Sequence, residues 1–104
     1  MINQGLFQNL KEWGNVLPQT IGEKDSGKLK FFNLFQKFGF FVSDKDGSDV
    51  FFHFDDAIKN GITAEFLQMT QFNPNIRFSF QILYYYGKHK LSRKAINIQP
   101  LLIQ

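Results

Sequence analysis

The run Phe38-Gly39-Phe40-Phe41-Val42-Ser43-Asp44-Lys45-Asp46-Gly47-Ser48-Asp49-Val50-Phe51-Phe52-His53-Phe54 has two aromatic halves around a polar centre. Period-two alternation makes each half a strand. Phe38, Phe40 and Val42 share one face of the first, with Gly39 and Phe41 on the other. In the second, Val50 to Phe54, the residues Phe51 and His53 share a face opposite Val50, Phe52 and Phe54. Ser43 to Ser48 is a hairpin turn with Asp46-Gly47 at its tip. Nine of the 14 Phe residues lie between Phe31 and Phe54. Leu, Ile and Val fill a core equally well, so rings concentrated among Lys and His point to flat faces offered at a surface.

Working outward, Lys28 to Asn33 reads as an earlier strand. Alternation places Lys28, Lys30 and Phe32 on one side and Leu29 and Phe31 on the other. Residues 55–75 form a long connection. Asp55-Asp56 ahead of Ala57-Ile58 suggests a capped helical turn, Thr63 to Leu67 a second, and Asn73-Pro74-Asn75 a turn. Ile76, Phe78, Phe80 and Ile82 alternate with polar residues as a fourth strand, continued by Tyr84 to Tyr86 up to a turn at Gly87. Lys88 to Lys94 is the most basic stretch. Ala95 to Ile98 reads as a closing strand, with Pro100 and Leu101 to Ile103 as an apolar tail. Short strands, turn signals and no long helix predict an all-β, antiparallel barrel.

Ahead of this, Leu6, Leu10, Trp13 and Leu17 recur at helical spacing, and Pro18 limits continuation. Residues 1–26 are therefore expected to be an extension with a short amphipathic helix that docks on the barrel or forms a homodimer contact, joined by a linker at Gly22–Gly27. The extension holds two Lys against three acids, whereas residues 27–104 hold ten Lys/Arg against six acids. That mild basicity permits nucleic-acid binding. Length predicts one domain after the extension. With Cys absent, disulfides and cysteine metal sites are excluded. No secretory pattern or membrane-length apolar run is seen, so a cytoplasmic protein is expected. Two His, no phosphate loop and no nucleophile elbow argue against an enzyme, and no metal or cofactor is expected. Asp44, Asp46 and Asp49 lack the closing Glu of a calcium loop.

Gly27-Lys28-Leu29-Lys30-Phe31-Phe32-Asn33, Lys37-Phe38-Gly39-Phe40-Phe41-Val42 and Asp49-Val50-Phe51-Phe52-His53-Phe54 together resemble, in order and spacing, the cold-shock domain of bacterial cold-shock proteins and Y-box proteins. The resemblance covers residues 27–104 and implies a five-stranded antiparallel OB-fold barrel that binds single-stranded RNA or DNA. Aromatic platforms stack on bases while cations meet phosphates. It casts Phe38, Phe40, Phe51 and His53 as platforms and Lys28, Lys30, Lys88 and Arg93 as phosphate partners. It adds Phe31, Phe32, Phe54 and a loop aromatic, Phe66, whose competing role is a core plug. Asn33 would meet a base edge or form a turn. The family's Trp is Phe31 here, with its ring brought to the surface by a strand irregularity. The family's Lys-Gly is replaced by Gln36-Lys37, and the hairpin Tyr84–Lys94 is longer. An RNA-chaperone or regulatory role is implied. Competing readings are a protein-interaction module and a carbohydrate-binding module, the latter disfavoured by the basic surface.

Overall fold

The structure, a computed structural model, describes residues 20–73, 75–87 and 89–102. Five antiparallel strands make one sheet in the order β3-β2-β1-β4-β5. They are β1 (Thr20–Asn33), β2 (Phe38–Ser43), β3 (Asp49–His53), β4 (Ile76–Tyr86) and β5 (Leu91–Leu102). Two short helices, α1 (Phe54–Ile58) and α2 (Ala64–Thr70), connect β3 to β4. The expected helix around Leu6 to Leu17 lies outside the described residues.

Two boundaries differ from expectation. Gly22 to Gly27 is not a linker: β1 begins at Thr20, and Thr20 to Gly27 pairs with Tyr84 to Phe78 of β4. From Gly27 onward the same strand pairs with β2 on its other edge. A polar segment without clean alternation reads as a connector until its pairing partner, more than 50 residues away, is known. Likewise Pro100 is no tail residue but sits within β5 opposite Phe78. Gly27 marks the change of partner, and a Cβ there would lie 2.0 Å from the Val42 carbonyl oxygen. Glycine is thus required for the close crossing of β1 over β2.

The sheet curls into a half-barrel around an aromatic core. Phe41 and Phe52 stack at 4.5 Å, and Phe41 meets Phe80 at 4.9 Å and Phe78 at 5.1 Å. Leu29, Val50, Ile82, Ala95 and Ile98 complete the wall, and Ala57, Ile62 and Leu67 of the connection close one opening. The curl brings β5 to the β2–β3 turn, where Arg93 donates to Ser48 Oγ at 2.6 Å and to the Asp49 carbonyl at 3.1 Å. α1 is held against β5 by buried Asp56, which accepts from Lys94 at 3.0 Å and lies 3.3 Å from Lys59. Burial makes such a carboxylate costly unless it is paired, as it is here.

Candidate functional site

On β1 the alternation breaks. Leu29 pairs with Phe41 and Phe31 with Phe40, which leaves Lys30 as the unopposed residue of a β-bulge. The bulge turns both Lys30 and Phe31 outward and sends Phe32 inward. Leu29 and Phe32 are buried, while Phe31 is exposed. Alternation alone would place Phe32 with the lysines and Phe31 with Leu29. Phe32 is instead a core residue, which corrects its assignment to the binding face, while the bulge is the strand irregularity expected to bring the Phe31 ring to the surface.

β2 and β3 follow strict alternation. Phe41 and Phe52 have no exposed surface, whereas Phe38, Phe40, Phe51 and His53 lie on the outer face. Their register is direct, with Phe40 opposite Phe51 and Phe38 opposite His53. With Phe31 they form a continuous outer cluster. Phe38 is 5.8 Å from Phe51 and Phe40, 5.9 Å from Phe31, and Phe40 is 5.8 Å from Phe51. The rings shield one another, so those of β2 and β3 are half-buried rather than substantially exposed. Mixed edge and tilted contacts at these spacings are favourable aromatic geometries.

Other sequence-predicted residues go elsewhere. Phe54 opens α1 instead of ending β3, and its ring lies 5.5 Å from Phe32 against the core. Phe66 packs on the core with its ring 6.1 Å from Phe78, so it is the plug. Asn33 is the turn-former: its Oδ1 accepts from the Gln36 amide at 2.9 Å. Lys30 holds the Asp49 carboxylate through both oxygens, at 3.0 and 2.9 Å. Arg93 is drawn to the same residue's carbonyl, so two of the expected phosphate partners converge on Asp49. Lys28 is exposed on β1. Lys88 lies outside the described residues; its neighbours His89 and Lys90 are exposed in the turn after Gly87.

His53 is both a face residue and a helix cap. Its Nδ1 accepts from the Asp55 amide at 3.1 Å, filling the N-cap role the sequence suggested for Asp55 and Asp56. That acceptor role leaves Nε2 as the remaining ring nitrogen.

In the β1–β2 turn, Leu34 to Lys37, the sequence singles out Gln36-Lys37 but not Leu34 and Phe35. Lys37 has φ 61°, the left-handed region that a glycine would enter freely. Phe35 is 95% exposed and Leu34 38%. The available signal was two apolar residues directly between strands, where turn chemistry favours polar ones. Beyond the turn, burial pushes the Asp44 carboxyl up, but the Ser26 hydroxyl and the Arg77 guanidinium outweigh it and hold it below its ordinary value.

Among the described residues no cluster of His, Cys, Asp or Glu could hold a metal ion, and no helix is long and apolar enough to cross a membrane. The arrangement offers a flat apolar surface with Lys28 and Lys30 on the adjoining strand. Comparisons with protein-family models, curated proteins and solved structures find no match.

Proposed function

We propose that the outer face of β1–β3 binds single-stranded RNA or DNA by base stacking. One observation carries this reading: the protein has two separate sets of Phe rings, and the set on the outer face is not needed to fill the core. Unstacked bases are the ligand class whose flat faces and linked phosphates match rings rimmed by lysines. The strand order, the curl that brings β5 to the β2–β3 turn, and the helical connection after β3 support an OB-type barrel. In that fold the β2–β3 face and its flanking loops take oligonucleotides. The three motifs that resemble the cold-shock domain extend the proposal to an RNA chaperone or a regulator of transcription or translation in the cytoplasm.

Titration with oligothymidine, followed by tyrosine fluorescence with an oligosaccharide as control, tests the reading. Saturable binding of the oligonucleotide alone is expected; binding of neither ligand, or of the sugar alone, would refute it. The second reading, a protein-interaction face, is favoured by one observation: Lys30 and Arg93 are already engaged at Asp49. A face with few unengaged cations suits an apolar partner as well as a phosphate chain.

A further inference from the structure

We propose that Phe35, in the β1–β2 turn, is an additional base-stacking platform that lengthens the single-strand site past the edge of the sheet face. This rests on the nucleic-acid reading above and adds a residue that none of the three motifs contributes.

A single exposed Phe needs no explanation by itself. Three further observations single this one out. The ring is 95% exposed, so it contributes almost nothing to the core. Its turn is held at both ends: Asn33 Oδ1 accepts from Gln36 N–H at 2.9 Å, the Asn33 carbonyl from Lys37 N–H at 2.8 Å, and the Lys37 carbonyl from Phe54 N–H at 2.8 Å. An apolar ring is thus presented to water on a fixed support, which lowers the ordering entropy lost when a ligand docks. Finally, the turn joins the two strands that carry Phe31 and Phe38, neighbours 5.9 Å apart in the platform cluster. Phe35 is three residues from Phe38, so their backbones are at most about 11 Å apart. That separation puts Phe35 within reach of a strand that leaves the platform over Phe38. Phe72 is also 83% exposed, but it follows α2 and does not join the strands that carry the platform, and nothing in the structure says what would cover it.

Bases stack on aromatic rings without hydrogen-bond readout, so the added subsite is tolerant of base identity. Its signature is a change in site length rather than in sequence preference.

The test is a length series of labelled oligothymidines, 3 to 10 nucleotides, read by fluorescence anisotropy. Wild type is compared with Phe35→Ala, Phe35→Tyr and Phe38→Ala. Phe35→Ala is expected to match wild type on the shortest oligomers that bind. It should reach its affinity plateau at a shorter length and bind the longest oligomers at least about fivefold more weakly. Phe35→Tyr should behave as wild type, since a stacking face is retained. If Phe38→Ala weakens binding and Phe35→Ala does not at any length, the inference is overturned while the stacking reading stands. If wild type binds none of the series, both are overturned. Sedimentation of the same proteins adds a third outcome. Self-association that Phe35→Ala abolishes, with oligonucleotide affinity unchanged, would assign the ring to a protein contact and refute the inference.

Discussion

Lys37 holds a left-handed backbone, φ 61°, at a position where a side chain is a burden. The left-handed region costs an L-residue about 1–2 kcal/mol, partly offset by the extra unfolded-state entropy of glycine. Both backbone bonds of Lys37 would survive replacement. Lys37→Gly is therefore expected to raise stability by about 0.5–1 kcal/mol, measured by urea denaturation. A loss of stability would mean that the lysine side chain contributes more than the turn conformation takes away. The two sets of Phe separate more sharply. Phe41→Ala and Phe52→Ala should each lower stability by about 3–5 kcal/mol through cavities at the stacked centre of the core. Phe38→Ala, Phe40→Ala and Phe51→Ala should lower it much less and instead weaken oligonucleotide binding by about 1–3 kcal/mol each. Melting temperature and affinity for all five variants check this. Outer-face variants that melt like the core pair, with affinity per folded molecule intact, would make those rings structural.

At the scale of elements, the junction of β3 and α1 places two duties on His53. Its ring belongs to the outer face and its Nδ1 caps the helix. His53→Asn should keep the cap and lose the ring, weakening binding with little change in stability. His53→Ala should lose both, with an added stability loss of about 1 kcal/mol for the missing cap. Equal stability of the two variants would remove the cap from consideration. β2 and β3 were legible in the sequence because one face of each is core and the other is not, so period two is enforced residue by residue. β4 was legible for the same reason through Ile76 to Ile82. β1 was legible only in its second half, and there only up to the bulge. An unopposed Lys30 shifts every later side chain to the other face; alternation does not announce it, and only the motif resemblance pointed to an irregularity there. Thr20 to Ser26 carries polar residues on an exposed strand, so its structure depends on β4 rather than on local pattern. The platform on β2 and β3 was therefore readable from alternation and the outward ring of Phe31 from the motif resemblance, while Phe32 was misplaced and Leu34-Phe35 in the following turn went unread.

Across the whole molecule, charge is spent largely on holding the half-barrel together. Arg77 and Ser26 engage Asp44, Lys45 engages Glu23, Lys30 engages Asp49, and Lys94 engages Asp56. Among the described residues Lys24, Lys28, Lys37 and Lys90 are exposed lysines outside these pairs, of which Lys28 and Lys37 lie on or beside the platform strands. Two or three phosphate contacts imply a log–log salt slope of about −1.5 to −2 for single strands. A slope near zero would leave stacking alone to explain affinity. The same ion pairs set the acid response. Asp44 has a folded value below its unfolded one, so its stabilisation is present above the unfolded value and is lost as pH falls through the folded value. Wild type should exceed Asp44→Asn in melting temperature at pH 6. The gap should narrow below about pH 4. A gap that persists unchanged to pH 2 would show that the charge of Asp44 does not contribute.

The divided pairing of β1 also sets an order of events when the chain folds. Its second half meets β2 across the Leu34–Lys37 turn, a closure of a few residues. Its first half must wait for β4, with Thr20 opposite Tyr84 at the far end of the longest strand pairing in sequence separation among the described residues. Local hairpins form in microseconds, whereas distant antiparallel pairing is slowed by the entropy of bringing remote segments together. The β1–β2–β3 meander can therefore assemble first, with Phe41 and Phe52 already facing one side and no lid above them. Until β4 supplies Phe78 and Phe80, that aromatic surface is open to other chains. Refolding yield should accordingly fall with protein concentration, and substitutions at Phe41 should slow folding more than substitutions at Ile98 do.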